Sequence, residues 1–268
     1  MTTVRDTVKA LLPDAAVARV QQRLAERASR ARQIDLGRAR LIREAPIEKL
    51  ADPAYLEHDL LPRLGLNDEL LHEFPESLHS HTGEGLRHWQ YPNQFSKYLA
   101  ELSGRRIETY LEIGVRHGGT FVITVEYLSR FHPVREAIAV DLQRAPALLQ
   151  YAQERPAVSV IEADSQTEEF RAFVRDHAPF DLALIDGDHS EEGCRRDFET
   201  VADHARVIVF HDIVSHPVPG VGAVWRQVRS SHADRFDFLE FTDQYPELSD
   251  RTGHRYLGIG VAVAREGP

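Results

Sequence analysis

The chain changes its hydrophobic rhythm near residue 105. Before that point apolar residues recur three and four apart, as in Val17, Val20 and Leu24 and again in Phe95, Tyr98, Leu99 and Leu102, the spacing of one helix face. Beyond it come five short, nearly continuous apolar runs, IETYLEIGV, EAIAVDL, AVSVIEAD, FDLALIDG and RVIVFHDI, with helical patterns between them. Strands that are apolar on both faces must be covered on both, so the alternation predicts a parallel sheet with helices on each side. Two last runs, FDFLEFT and YLGIGVAVA, are separated by a loop in which no crossover helix is legible, as expected of an antiparallel pair at a sheet edge.

The polar pattern divides the chain at residue 92. Residues 1 to about 50 are rich in Ala, Arg and Leu, and Pro13 and Asp14 can start a helix, so an arginine-rich amphipathic arm is expected to pack on the body or on a partner subunit. Residues 51–92 carry Pro, Gly and His without clear periodicity and read as irregular structure. PNQFSKYLAELSG then gives a helix ending at Gly104. The expected organisation is a helical and irregular extension over 1–92 and a ligand-binding catalytic domain over 93–268.

Charge and composition narrow the partners. The 268 residues carry a formal net charge of −10, which repels a phosphate backbone and excludes nucleic acid as the expected partner. Cys194 is the only cysteine, so an internal disulfide and a multi-cysteine zinc site are excluded, and a reducing compartment fits. No apolar run approaches the roughly 20 residues that span a bilayer, and the first residues show no signal-peptide core. The expectation is a cytoplasmic protein without a membrane partner, self-associating through its arm, that acts on a small molecule.

Chemistry concentrates where the runs end. In YLEIGVRHGGTFVITVEYL, Gly114 allows a sharp turn after the first strand, and Gly118 and Gly119 allow a ligand to approach the next helix. The spacing differs from the dinucleotide fingerprint, which needs a glycine at Ile113 or Arg116. Asp141 ends the second run, where it can accept hydrogen bonds from ribose hydroxyls, and Asp164 ends the third. Taken in order, these residues make the chain resemble the class I S-adenosylmethionine-dependent methyltransferases over roughly residues 93–265. The resemblance implies a doubly wound α/β fold, a seven-stranded Rossmann-like sheet of order 3-2-1-4-5-7-6. It also implies a cofactor site at Glu112, Gly114, Gly118, Thr120, Asp141, Asp164, Ser165 and Asp186, with Glu112 and Gly114 by the methionine part, Asp141 by the ribose, and Asp164 and Ser165 by the adenine.

The fourth run, LIDGDHS, brings Asp186, Asp188 and His189 to the ligand edge, and the fifth brings His211 and Asp212 beside them. Crowded carboxylates are costly unless a cation or proton neutralises them, so a divalent ion or a proton-transfer site is expected. Ser190 to Val201 has a plainer reading: Ser190 caps a helix whose inner face is Cys194, Phe198 and Val201. The D-G-D-H-S and F-H-D-I segments resemble the metal-dependent sugar O-methyltransferases of antibiotic biosynthesis and the cephalosporin-hydroxylase-like family. That resemblance implies magnesium or manganese at Asp186 and Asp212, with Asp188 as base. His211 stands at the first position of the relatives' acidic pair and is counted among the metal ligands, although imidazole suits Zn, Fe, Mn or Ni better than Mg. The alternative is that His189 or His211 works as a base without a metal.

Trp89, Gln90 and Tyr91 are read as a lid or as packing, and the loop of residues 215–222 as an acceptor-pocket border or a connector. His254 and Arg255 are positional candidates for reaching the acceptor. Two rivals remain beside an O-methyltransferase of a natural-product sugar. One is a hydroxylase-type enzyme with His189, His211 and Asp186 around iron; the other is a silent cofactor-binding assembly module whose working surface is the N-terminal arm.

Overall fold

A computed structural model describes residues 33–265, and the helix expected around Pro13 to Leu24 lies outside them. The helix expected before the sheet is α1 (Pro92–Ser103): Pro92 suits its first turn, Phe95, Tyr98, Leu99 and Leu102 form its buried face, and Gly104 ends it. The alternating elements then follow in order: β1 (Thr109–Ile113), α2 (Gly119–Leu128), β2 (Glu136–Asp141), α3 (Pro146–Glu154), β3 (Val158–Glu162), α4 (Glu168–His177) and β4 (Phe180–Ile185). They continue with α5 (Glu191–Val201), β5 (Ala205–Phe210), α6 (Pro219–Ser231) and β6 (Phe236–Phe241), then α7 (Pro246–Thr252) and β7 (Ile259–Ala264).

The sheet has seven strands in the order β3-β2-β1-β4-β5-β7-β6, as the resemblance implied. β1 to β5 run parallel, and β7 runs antiparallel to both β5 and β6. The tail pair is therefore antiparallel as expected, but α7 occupies the connection read as helix-free. Only Leu248 of α7 is buried, so this helix has no apolar periodicity to reveal it.

Alternate strand residues face opposite layers, the property that makes both faces apolar. Tyr110, Ala137, Ala139, Leu182, Leu184, Val207 and Val209 pack under α1, α2 and α3. Leu111, Ile113, Ile138, Val140, Ala183, Ile185, Ile208 and Phe210 pack under α4, α5 and α6 through Phe170, Val174, Cys194, Phe198, Val221 and Trp225.

Helical turns, expected up to about residue 50, continue into the stretch read as irregular. Turns of helix at Arg40–Glu44, Ile47–Leu50, Pro53–Tyr55 and Leu61–Leu64, with a wider turn at Leu56–Leu60, bury Ile42, Leu50, Leu56, Leu60 and Leu61 in the α1–α3 layer. An ion-pair hub fixes this layer. Glu126, fully buried in α2, accepts from Arg43 at 2.9 Å, from the Tyr151 hydroxyl at 2.9 Å and from Arg155 at 3.1 Å. Such a carboxylate is tolerated inside because every lone pair has a donor. No helix of the described residues is long and apolar enough to cross a membrane.

Candidate active site

The order of the sheet reverses between β1 and β4, and the crevice beyond the strand ends at that point is where ligands of such sheets bind. Here it is a cavity of about 740 Å³, reached by residues from all five parallel strand ends. Glu112, Gly114, Gly118, Thr120, Asp141, Asp164, Ser165, Asp186, Asp188, His189, His211 and Asp212, all nominated from sequence, line it.

On one side the glycine turn brings backbone close to the ligand space. Gly114 has φ +87°, and a Cβ there would lie 2.1 Å from the Asp186 carbonyl oxygen, so only glycine lets the β1 turn cross the end of β4. Gly118, at φ +89°, caps α2, and Gly118, Gly119 and Thr120 line the cavity at that helix N-terminus. Asp141 accepts from the backbone N–H of Arg116 at 2.7 Å and of Gln143 at 3.2 Å, and Asp164 from that of Gln166 at 2.9 Å. Glu112 is fully buried, takes a hydrogen bond from the Tyr110 hydroxyl, and is pushed up to about 8 by burial.

On the other side two carboxylates and two imidazoles meet. Metal-binding atoms of Asp186, His189, His211 and Asp212 all lie within 4.8 Å of one another. Asp186 Oδ1 contacts His211 Nδ1 at 2.8 Å and His189 Nε2 at 3.1 Å. Asp212 Oδ2 lies 3.6 Å from His189 Nδ1 and from His211 Nδ1. Burial works against ionising Asp186, but the His211 charge and the two imidazole hydrogen bonds outweigh it and hold the carboxyl at about 2. Burial lowers His211, yet the Asp186 and Asp212 charges prevail and raise it to about 9; His189 is raised too, against burial, chiefly by its hydrogen bond to Asp186. His211 Nε2 and Asp212 Oδ1 are buried and meet no protein partner.

Backbone strain collects at the same place. Four non-glycine residues among those described have positive φ, Arg87, Arg116, Asp212 and Leu257, and all four line this cavity. Such conformations cost of order 1–3 kcal/mol each and persist where the surroundings over-determine them, commonly at functional sites.

Asp188, expected as the base, stands beside the cluster of Asp186, His189, His211 and Asp212. It lines the cavity but is exposed and stands outside the group of four, and its Oδ1 accepts from the Ser190 N–H at 2.8 Å. Ser190 caps α5 as expected, accepting from the Gly193 N–H at 3.0 Å. Trp89 lines the cavity with the Arg116 guanidinium 4.7 Å from its ring centre, while Gln90 is buried and Tyr91 belongs to an apolar cluster with Leu66, Phe74 and Leu248. Ser215, Pro217 and Val218 border the cavity. His254 and Arg255 do not: His254 stacks on His216 at 3.7 Å, and Arg255 donates to the Thr242 carbonyl at 3.1 Å.

Sequence reasoning missed a whole wall. Asn67, Leu70, Glu73 and Arg87 reach the cavity from the stretch read as irregular. Glu69, beside them, accepts from His117 at 2.7 Å and from Arg116, latching this stretch to the glycine turn. Nothing in the local pattern marks these residues, because an acid in a non-periodic stretch looks like any solvated one.

Residues 111–213 match the Methyltransf_24 family, described as a methyltransferase domain. No curated protein matches the chain. Among solved structures it is similar to the MycE methyltransferase of the mycinamycin biosynthetic pathway, in complex with Mg and SAH, at 16% identity and a TM-score of 0.44 over 66% of this chain and 50% of that one. It is similar to an O-methyltransferase of Bacillus cereus, in complex with SAH, at 14% identity and 0.47 over 82% and 92%. A third is the N-methyltransferase NodS of Bradyrhizobium japonicum, at 14% and 0.43 over 63% and 85%. The match thus spans about half the length of the mycinamycin-pathway enzyme.

Proposed function

We propose, from the match of residues 111–213 to a methyltransferase-domain family, that the chain transfers a methyl group from S-adenosylmethionine to a hydroxyl of a small molecule, in particular the sugar part of a natural product, with a divalent cation on the acceptor side. The observation that carries the reading is the pair of unpartnered buried atoms, His211 Nε2 and Asp212 Oδ1, within the same cavity as the glycine turn. Buried polar atoms are nearly always satisfied, so two orphans beside two further ligand-type groups fit a divalent cation. The donor set of Asp186, His189, His211 and Asp212 mixes oxygen and nitrogen, which suits manganese, iron or zinc at least as well as magnesium.

Methyl transfer to oxygen is an in-line displacement at a sulfonium carbon, and a hydroxyl is a poor nucleophile until it begins to lose its proton. A bound divalent ion supplies acidification and orientation of that hydroxyl. The glycine turn, Glu112, Asp141, Asp164 and Ser165 hold the methyl donor, and Asp186 orients both imidazoles through one oxygen. Asp188, exposed on the cavity wall and outside the group of four, is the carboxylate left to take the proton, with one oxygen held by the Ser190 N–H. The metal-free alternative asks His189 or His211 to take up a proton, and the Asp186 and Asp212 carboxylates favour the protonated form of both.

The test is calorimetric titration of S-adenosylmethionine into chelator-treated protein, repeated with Mg²⁺ or Mn²⁺, followed by mass spectrometry of simple glycosides incubated with both. The expected result is cofactor binding in every condition and a singly methylated glycoside only when the ion is present. Absence of cofactor binding in all conditions overturns the proposal, and methylation that is indifferent to chelator removes the ion from it.

A further inference from the structure

Glu73 is the one wall residue from the stretch before α1 that is both acidic and buried, at 5% exposure, and it lines the same cavity as the four-residue cluster. Its position is fixed rather than incidental. The Tyr91 hydroxyl donates to its backbone carbonyl, Tyr91 is itself buried against Phe74, and Glu69 ties the preceding residues to Arg116 and His117. Among the described residues no basic side chain forms an ion pair with the Glu73 carboxylate, which takes a hydrogen bond from Trp89 in place of the two guanidinium groups that hold Glu126. Burial raises its proton affinity and the Asp212 charge raises it further, against a Trp89 hydrogen bond and the His72 and His211 charges, which lower it.

A buried carboxylate that no guanidinium or ammonium pairs with gains from a further positive charge in its cavity. The cluster beside it has two orphaned ligand atoms of its own, His211 Nε2 and Asp212 Oδ1, at 4% and 6% residue exposure. We infer that Glu73 is a further anionic group of the divalent-cation site, supplied by the stretch before α1, and that the site is incomplete in the five-strand core alone. The inference rests on the cation reading of Asp186, His189, His211 and Asp212. Glu73 contributes its negative charge to the cavity the cation enters, and thereby makes cation binding depend on a wall that is latched to the cofactor turn.

Mn²⁺ alone is the probe, its binding to the full chelator-treated chain followed by paramagnetic resonance of the free ion. The wild type is expected to bind one Mn²⁺, Glu73→Gln to bind it about tenfold more weakly, the size expected when one nearby charge is lost at intermediate effective dielectric, and Glu73→Asp to fall between. Glu84→Gln, an exposed acid of the same stretch, controls for net charge and should bind like the wild type. Retained S-adenosylhomocysteine binding by Glu73→Gln establishes that it is folded. Wild-type Mn²⁺ affinity in folded Glu73→Gln overturns the inference while leaving the cluster reading intact. Absence of Mn²⁺ binding by the wild type, or equal binding by Asp186→Asn, overturns the cluster reading and the inference with it.

Discussion

Asp141 and Asp164, after β2 and β3, have carboxylates bonded to the backbone N–H groups of Arg116, Gln143 and Gln166. Asp186 and Asp212, after β4 and β5, instead face His189 and His211, and Asp212 leaves one oxygen with no protein partner. All four acids stand at the same edge of one sheet. The first pair is held by neutral donors that shape the loops and leave lone pairs for a neutral ligand such as a hydroxyl or an amino group. The second pair shares protons with imidazoles among largely buried neighbours, where adding or removing one positive charge changes the energy most. Position at a strand end therefore marks a ligand edge, and the neighbours decide whether an acid binds or takes part in proton and cation chemistry.

The comparison breaks most visibly at Asp186 and Asp212. Asp186→Asn and Asp212→Asn should each lower methyl transfer to an accepted glycoside by about 10²–10⁴-fold, the usual reach of acid–base machinery. The same variants should bind S-adenosylhomocysteine within a few-fold of wild type by calorimetry. Loss of cofactor binding in both would erase the distinction between the pairs. Asp141→Ala should do the reverse, weakening S-adenosylhomocysteine binding by about 1–3 kcal/mol through lost hydrogen bonds, and an unchanged affinity would remove Asp141 from the cofactor side.

A smaller effect separates the pairs by pH. His211 is raised from 6.5 to about 9, so the folded chain holds this proton more tightly than the unfolded one. The resulting stability is present in full below pH 6.5 and is lost as pH rises through about 9. Thermal melts of the wild type without added metal should fall across that window. Asp186→Asn removes the largest attraction on His211 and should flatten the fall, while Asp141→Ala should leave it unchanged. A slope identical in all three proteins would mean that the imidazole protons are not held by Asp186.

Much of this was legible before any coordinates. IETYLEIGV and RVIVFHDI show their two-faced burial as unbroken apolar runs, and Phe95, Tyr98, Leu99 and Leu102 show the face of α1 by spacing alone. Asp186, His189, His211 and Asp212 were legible because each follows such a run. Asp188, nominated as the base, lines the cavity with one oxygen bonded to the Ser190 N–H, a competition between turn and site that a list of strand-end acids does not register. The turns between Pro53 and Leu64 were obscured by Pro53 and Pro62, although Leu56, Leu60, Leu61 and Leu64 already carry helical spacing.

The sequence by itself determined the sheet's alternation, the glycine turn and the acids at the strand ends, because each depends on residues a few positions apart whose spacing sets burial and backbone freedom. Only the tertiary structure decided which acids meet imidazoles, that Glu73 and Arg87 return to wall the cavity, and that Glu69 latches that wall to Arg116 and His117. Those meetings join residues far apart in the chain, and their energies come from the low dielectric and fixed geometry of a packed interior, which no local pattern encodes.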